Sequence, residues 1–272
     1  MAAIDTGTDH LLADLDGGVL TLTLNRPEAR NAMSGEMNAA LGDRLAWAET
    51  AGEVKVVVLT GAGKGFCAGG DVKGMAAQNA GGAPLPIDEA IGRQRVNQRA
   101  TAGKLHKMPK PTIAALPGPA AGAGLAYALS CDLRIMASTA IMTTAFARVG
   151  FSGDYGGTYF MSQLVGTAKA RELYFLSERV TAEEALRLGL TNWVCEPDEL
   201  QAKTRAIALR LAAGPTVAYR YMKENLNRAL TGDWDDCMDL EATHHVHCGQ
   251  TDDHKEAAKA FVEKREPVFS GR

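Results

Sequence analysis

The sequence predicts an α/β fold with a parallel sheet followed by a helical C-terminal region, and three observations support this prediction. Patterns typical of strands alternate with patterns typical of amphipathic helices through the first two thirds of the chain. Residues 54–60 form a β-branched run, which is typical of a buried strand in a parallel sheet. After Glu196-Pro197 only helical patterns follow, so we predict a core over 1–199 and a helical region over 200–272.

The elements are predicted in chain order from the spacing of apolar residues. Residues 11–25 alternate about Gly17-Gly18, which predicts a hairpin, and apolar side chains recur at helical spacing over 33–50. Strands are predicted at 112–116 and 133–136, on either side of a helix of small residues over 122–131. The helices predicted in the C-terminal region are 200–213, 217–230, 234–246 and 254–264.

Composition and charge exclude several classes of protein. With 29 Lys and Arg against 32 Asp and Glu, the net charge of −3 gives no reason to expect nucleic acid or an anionic membrane as a partner. The longest uncharged stretch, 111–131, contains Pro117 and Pro119 and is dominated by alanine, so we expect no membrane span. Five widely spaced cysteines without a C-x-x-C pair indicate neither a disulfide framework nor a zinc module. Because residues 1–10 also lack the basic start of a secretion signal, we expect a cytoplasmic protein.

Residues 76–90 are rich in Ala, Gly and Pro and predict a long irregular segment. Such a segment inside a compact domain is either a functional lid or simply a mobile loop, and the sequence leaves both open. We expect the loop over 76–100 to line a pocket.

A glycine-rich loop over 61–71 follows the buried strand. It does not match a dinucleotide fingerprint, because Phe66 stands at the third glycine position, nor a phosphate loop, because Gly65 follows Lys64. Its end, 68–70, could donate unhindered N–H groups to a ligand oxygen. The alternative is a plain turn in which Asp71 caps the next helix.

A second loop of small residues, 115–124, also runs from a strand into a helix. A helix N-terminus presents free N–H groups and the positive end of its dipole, which suits a developing oxyanion. The alternative is tight helix packing through small residues. Two donor loops in one chain lead to the hypothesis of an oxyanion hole for a thioester or an ester.

Asp154 lies in a third glycine-rich segment, 150–157. This segment does not match the G-x-S-x-G serine elbow, because Asp154 stands where the second glycine is required. An acid in such a turn is a candidate general base, and a turn-forming or capping aspartate is the alternative.

Three histidines near the C-terminus could suggest a metal site. On a helix, however, His244 and His247 lie one turn apart while His245 faces elsewhere, and no second set of carboxylates accompanies them. We expect a solvated or interface face here and no metal.

Several segments in a fixed order resemble the crotonase superfamily, the enoyl-CoA hydratase/isomerase family. They are 25–32 (NRPEARNA), 66–71 (FCAGGD) and 110–115 (KPTIAA) with Gly118 and 122–124 (GAG). The similarity covers about residues 10–265 and implies a crotonase (ClpP-like) spiral of β-β-α units with a C-terminal helical region. It also implies a homotrimer or a dimer of trimers, an acyl-CoA thioester as substrate, and no separate cofactor, since coenzyme A is part of that substrate.

The resemblance implies roles for individual residues. The N–H groups of Gly70 and Ala123 would form the oxyanion hole that polarises the thioester carbonyl and stabilises its enolate. The residues implied to contact CoA are Lys64, Ala68 and Lys73 at the adenine and phosphates, Ala29 and Arg30 at the pantetheine and phosphate, and Phe261 and Lys264 reaching from a neighbouring subunit.

The chain departs from the hydratases that it resembles at the two glutamates that hold and activate water. Their positions fall on Ala126 and Phe146, which would make the substrate pocket apolar, and neither side chain can titrate. The position of Asp154 instead resembles that of the acidic residue of dienoyl-CoA isomerases, some enoyl-CoA isomerases and the aryl-CoA dehalogenase. Dehalogenation is disfavoured, because Arg99 and Phe146 stand where that enzyme has a histidine and a tryptophan.

These residues favour a double-bond isomerase in which Asp154 moves a proton along an enolate held by Gly70 and Ala123. A dry pocket around Phe146 and Ala126 would raise the pKa of Asp154 and discourage hydration. Three alternatives stay open. They are a hydratase that uses Asp154 and a water held by other groups, hydrolytic cleavage of a C–C or thioester bond, and a CoA-thioester-binding protein without catalysis.

Overall fold

Two sheets form the framework of the protein, whose computed structural model describes residues 2–71, 74 and 85–272. The strands in chain order are β1 (Ala2–Ile4), β2 (Leu11–Asp16), β3 (Val19–Leu24), β4 (Val56–Gly61), β5 (Thr112–Leu116), β6 (Ala120–Ala121), β7 (Leu133–Ala137), β8 (Ile141–Thr143), β9 (Val180–Thr181) and β10 (Trp193–Cys195). The larger sheet has the order β1-β2-β3-β4-β5-β7-β10, and the smaller one has the order β6-β8-β9.

The larger sheet confirms the predicted α/β class. Strands β1, β2 and β3 pair antiparallel, and the register Asp16↔Val19 places the predicted hairpin turn at Gly17-Gly18. From β3 onward every neighbouring pair is parallel, as is typical of a sheet that is covered on both faces. Val56, Val57 and Leu59 are fully buried, as the apolar run predicts.

Helices cover the larger sheet and form the C-terminal region. They are α1 (Gly35–Thr50), α2 (Ile87–Ala100), α3 (Ala102–Lys107), α4 (Ala123–Ser130), α5 (Gly157–Leu176), α6 (Ala182–Arg187), α7 (Leu200–Ala212), α8 (Thr216–Ala229), α9 (Trp234–Gly249) and α10 (Asp252–Glu263). Short 3₁₀ turns occupy Pro27–Ala29 and Phe146–Val149. None of the helices that the structure describes is long and apolar enough to cross a membrane.

The helices that the apolar spacing predicts are present within a few residues of their expected bounds. Helix α1 begins after Ser34, whose hydroxyl accepts a hydrogen bond from the N–H of Met37 at 3.1 Å. Its buried stripe of Met37, Leu41 and Leu45 supports the amphipathic prediction. Helix α4 is buried along its whole length, since its small residues let it lie inside the core.

Part of the segment 76–90 is helical, whereas an irregular loop was predicted there. Residues 75–84 lie outside the described part of the chain, but residues 87–100, which were expected to be loop, form helix α2. Helix α2 has no buried residue, and its apolar side chains Ile87 and Val96 are exposed. Because no apolar stripe faces the core, the helical spacing that would have predicted α2 is missing from the sequence.

Helix α5 was also not predicted. It starts in glycines directly after the turn that contains Asp154 and is interrupted at Gly166, whose φ of 76° and ψ of 162° are not helical. The two parts on either side of this break do not share one continuous apolar stripe, so the helical spacing is weak.

The C-terminal helices contact the sheet and each other. Helix α7 packs against β3, β4, β5 and β7, and its residues Leu200 and Ala208 are buried there. The Lys223 ammonium of α8 is almost fully buried and donates to the Asp132 carboxylate at 2.8 Å and to the Leu105 carbonyl at 3.0 Å. The division at residue 200 stays a prediction, but this buried ion pair ties the helical region to the core.

Candidate active site

Two loops that follow strands β4 and β5 lie against each other at one end of the larger sheet. Gly69 has a φ of 86°, and a Cβ added to it would lie 2.7 Å from the Ala121 carbonyl oxygen and 3.2 Å from the Ala123 nitrogen. A Cβ on Gly124 would lie 2.4 Å from the Cys67 carbonyl oxygen. Only glycine permits this approach, so the small residues bring the two donor loops into contact as well as packing the helix.

The close approach places the N–H groups of Gly70 and Ala123 near one another. Neither N–H donates to an acceptor within the described residues, although Met33 N–H donates to the Gly69 carbonyl at 2.8 Å and Gly122 N–H donates to Thr143 at 3.1 Å. Ala123 is the first residue of α4, where an N–H has no partner inside the helix and the dipole is positive. The pair is suited to hold an oxygen that becomes negatively charged.

Two adjoining cavities open at these N–H groups. They have volumes of about 370 and 460 Å³, and Gly70, Gln94, Ala123 and Asp154 line both of them. The first cavity is otherwise mainly apolar, with Phe146 and Phe151 in its wall. A further cavity of about 450 Å³ lies between the sheet and α7 and includes none of these groups. The four shared residues therefore mark the centre of the candidate site.

Asp154 lies in a strained turn that both α1 and α2 hold in place. Tyr155, the next residue, has a φ of 49°, which is unusual for a side chain of this size. Its N–H donates to Gln98 Oε1 at 2.7 Å, and its hydroxyl accepts from Asn38 Nδ2 at 3.3 Å. The Gly157 N–H closes the turn by donating to the Asp154 carbonyl at 3.0 Å. These contacts direct the Asp154 carboxyl group toward the cavities.

The surroundings of Asp154 favour its neutral form more than water does. Burial raises the pKa of this carboxyl from 3.8 to about 6. Gln94 Nε2 donates to Oδ2 at a long 3.4 Å, and the buried Oδ1 has no hydrogen-bond partner in the described part of the chain. A carboxyl group that titrates near neutral pH can both accept and return a proton, as a general acid and base must.

Neither of the two positions where hydratases carry glutamates supplies a charge here. Phe146 lines the apolar cavity, and its ring stacks on Tyr174 with ring centroids 5.9 Å apart. Ala126, which was expected in the pocket wall, is buried in α4 next to Gly157 and is not among the residues that line the two cavities. Both positions are apolar, as the sequence indicates.

The residues expected to contact CoA fall into two groups. Two hydrogen bonds join the segment of Ala29 and Arg30 to the loop of Lys64 and Ala68. The Ala68 N–H donates to the Arg30 carbonyl at 3.0 Å, and the neighbouring Asn31 Nδ2 donates to the Gly65 carbonyl at 2.8 Å. Phe261, which is 86% exposed, and Lys264 at the end of α10 lie in the C-terminal region. Lys73 falls outside the described residues. The CoA contacts of all these residues stay predictions.

Asp71, which the plain-turn alternative makes a helix cap, accepts a hydrogen bond from the Gly74 N–H at 3.0 Å. Its other carboxylate oxygen accepts from the Arg26 guanidinium at 3.3 Å, so this acid is held in an ion pair at the edge of the second cavity. The Gly74 contact is the one that the capping alternative predicts, and the donor role of this loop stays a prediction.

The prediction of a solvated or interface face does not hold for His244, which is buried inside the chain. This side chain is buried, stacks on Tyr221 with centroids 4.2 Å apart and lies 2.5 Å from Asn225 Oδ1 through Nδ1. It packs α9 against α8, while His245 and His247 are exposed. No group of three or more His, Cys, Asp or Glu that could hold a metal ion occurs within 2–71, 74 and 85–272.

Sequence reasoning missed Gln94, Gln98, Tyr155 and Tyr174. The first two are one helical turn apart, but nothing in the sequence shows that α2 turns them toward Asp154. Tyr174 comes from the unpredicted helix α5, and its hydroxyl would be 2.6 Å from a Cβ on Gly157. Only the tertiary packing of α2 and α5 brings these side chains to the site.

Known proteins resemble this chain over nearly its whole length. A relative from Escherichia coli (strain K12), 1,2-epoxyphenylacetyl-CoA isomerase, is 36% identical over 97% of this chain and 99% of its own. The short-chain-enoyl-CoA hydratase of Clostridium acetobutylicum is 35% identical over 94% of this chain and 96% of its own. The crystal structure of an enoyl-CoA hydratase from Polaromonas sp. JS666 superposes with a TM-score of 0.89 at 32% identity, covering 96% of this chain and 99% of that one.

These similarities confirm the crotonase fold and the resemblance on which it was predicted. Some of these relatives are named isomerases and others hydratases, and the two kinds are about equally similar to this chain. The comparisons therefore identify an enzyme family and not one reaction. The family model described as enoyl-CoA hydratase/isomerase matches residues 14–272, and the chain belongs to this family.

Proposed function

We propose that the protein isomerises the double bond of an enoyl-CoA thioester, with Asp154 as the group that carries the proton. The observation that carries this proposal is the isolation of the carboxyl group. Among the described residues that line the 370 Å³ cavity, Asp154 is the one acidic residue. The same cavity wall includes Gly70 and Ala123, whose N–H groups form the proposed oxyanion hole. The Asp71 carboxylate borders the other cavity but is paired with Arg26.

The arrangement supports a two-step proton transfer. With the thioester oxygen between the N–H groups of Gly70 and Ala123, the C–H bonds conjugated with the carbonyl become acidic, because the resulting enolate oxygen is stabilised. Ionised Asp154 removes a proton from one carbon, and the electron pair moves into the conjugated enolate. Protonated Asp154 then returns the same proton two carbons away, which shifts the double bond and leaves the mass unchanged.

The electrostatics of the site suit this cycle. A pKa of about 6 leaves Asp154 mostly ionised at neutral pH, so it can start the reaction as a base. The same value makes protonated Asp154 a far better acid than water. Proton transfer between two carbons changes no oxidation state overall, so the proposed reaction needs no cofactor besides the CoA carried by the substrate.

Hydration of a 2-enoyl-CoA is the second candidate, and one observation favours it. The Asp154 Oδ1 atom has no protein partner among the described residues, so a water could bind there and be activated. Ala126 and Phe146 cannot titrate, so these two positions supply no second acid or base to complete the addition, and we therefore rank this candidate below isomerisation. Hydrolytic cleavage and binding without catalysis are further outcomes that the same assay separates.

We also propose that several copies of the chain assemble through the C-terminal helices. The C-terminal helices expose large apolar side chains that a partner subunit would cover, among them Leu226, Trp234, Val246 and Phe261. They support association with further copies of the chain. We propose a homotrimer or a dimer of trimers, as the family resemblance implies, in which Phe261 and Lys264 reach the CoA of a neighbouring subunit.

The experiment compares the wild-type protein with Asp154→Asn, which keeps the shape of the side chain and removes the base. Each protein is incubated with matched 2-enoyl-, 3-enoyl- and 2,5-dienoyl-CoA thioesters, and the products are separated by mass. We expect a product of unchanged mass from the wild type and no turnover by the variant, while its affinity for the thioester stays the same. Turnover by Asp154→Asn at the wild-type rate would remove Asp154 from the mechanism.

A further inference from the structure

Helix α2 turns a polar face toward the candidate site. Its apolar residues Ile87 and Val96 are exposed, whereas Gln94 and Gln98 are among its most covered side chains. These two glutamines are four positions apart in the sequence, so they lie one above the other on the same side of the helix. The helix therefore presents two carboxamides to the turn that contains Asp154.

The two carboxamides hold consecutive residues of that turn. Gln94 Nε2 donates to Asp154 Oδ2 at 3.4 Å, and Gln98 Oε1 accepts from the Tyr155 N–H at 2.7 Å. The second contact fixes the backbone of a residue whose φ of 49° is strained. The first contact reaches the carboxyl group itself, and Gln94 also lines both cavities.

A carboxamide is chemically suited to a carboxyl group that changes its protonation state during turnover. Its NH₂ donates to the ionised carboxylate, and after a rotation its carbonyl oxygen accepts from the protonated acid. An ammonium or guanidinium at this position would stabilise only the ionised form and so weaken Asp154 as an acid. The other groups that face Asp154 are the phenols of Tyr155 and Tyr174, and the Asp71 carboxylate, paired with Arg26, across the shared cavity.

We infer that Gln94 is a positioning residue for the reaction, which directs the Asp154 carboxyl group into the cavity in both of its protonation states. Gln98 supports it by fixing the backbone of the same turn. This inference rests on the proposed role of Asp154 and goes beyond it, since it assigns the control of that carboxyl group to the exposed helix α2.

Gln94→Met tests the inference, because methionine keeps the length and flexibility of the side chain and removes both hydrogen-bonding groups. Gln163→Met makes the same change at an exposed position of α5 and is the control. We expect Gln94→Met to lower kcat about tenfold, as expected for the loss of a hydrogen bond to a charged group. The hydrogen bond to the ionised carboxylate is the stronger of the two that Gln94 can make. Its loss therefore moves the acidic limb of the pH profile upward by about half a pH unit, while KM changes little.

A titration of carboxyl groups by carbon NMR supplies a readout that does not need turnover. The Asp154 signal is identified by its absence in Asp154→Asn, and its pKa is expected to be higher in Gln94→Met than in the wild type. A role limited to stability would lower the yield of folded protein without moving this pKa or the acidic limb. Rates and titrations that match those of Gln163→Met would overturn the inference.

The two proposals fail in different ways. Turnover that survives in Asp154→Asn contradicts the proposed function, whatever Gln94→Met does. Loss of turnover in Asp154→Asn together with an unaffected Gln94→Met contradicts only the inference about Gln94.

Discussion

Asp154→Asn should make the protein more stable at neutral pH although it removes the proposed base. Burial raises the pKa of the Asp154 carboxyl from 3.8 to about 6, so the folded state binds a proton more tightly than the unfolded state does. Ionisation of Asp154 therefore costs stability above pH 6, and this cost disappears as the pH falls through 6 toward 3.8. Asparagine has no such charge and avoids the cost.

The magnitude follows from the two pKa values. Their difference corresponds to about 3 kcal/mol at pH 7.5 for a fully desolvated group. Because Asp154 is only partly buried and water screens its charge, we expect a gain of about 1–2 kcal/mol in the free energy of unfolding. The gain should become smaller as the pH is lowered to 5.

The assay is urea unfolding of the wild type and the variant at pH 7.5 and pH 5, at equal protein concentration so that any assembly contributes equally. Asp43→Asn makes the same substitution at an exposed position of α1 and should leave the unfolding free energy nearly unchanged. An Asp154→Asn variant that is no more stable than the wild type at pH 7.5, or whose gain grows toward acidic pH, would refute the electrostatic reasoning.

Three further predictions test other parts of the structure. The kcat/KM for an enoyl-CoA should rise from pH 5 to pH 7 with an apparent pKa of about 6, because Asp154 must be ionised to start the reaction; a rate that is constant over this range would contradict the assignment. Gly69→Ala should lower kcat at least about tenfold, because the backbone there has a φ of 86° and the new Cβ would lie 2.7 Å from the Ala121 carbonyl oxygen. The control Gly52→Ala, which has open space around it, should leave kcat unchanged. Lys223→Met should reduce the unfolding free energy by about 2 kcal/mol in urea titrations. The substitution breaks a buried ion pair, while Asp132 keeps its hydrogen bonds from Thr112. A loss close to zero would mean that this contact does not hold the C-terminal helices to the core.

The sequence predicts the parts of the fold that local patterns determine. The hairpin at Gly17-Gly18 and the buried strand β4 follow from alternation and from a β-branched run, and both are present. Helices α2 and α5 do not follow from such patterns, since α2 buries no apolar stripe and α5 is interrupted at Gly166. Their places depend on tertiary contacts that no local spacing encodes.

The same distinction holds at the candidate site. Glycine-rich loops and the family resemblance point to Gly70, Ala123 and Asp154, and the structure brings these three residues around shared cavities. Gln94 and Tyr174 were not predicted, because each reaches the site only through the packing of its helix. The raised pKa of Asp154 was expected from an apolar pocket, and burial is indeed its cause.

The most direct test of the proposed reaction is the mass of the product formed from matched 2-enoyl-, 3-enoyl- and 2,5-dienoyl-CoA thioesters. Isomerisation leaves the mass unchanged and hydration adds one water. We expect a product of unchanged mass with a shifted double bond, formed by the wild type and not by Asp154→Asn. A product that has gained a water would show that Asp154 organises hydration without the two glutamates, and it would contradict the proposed isomerase.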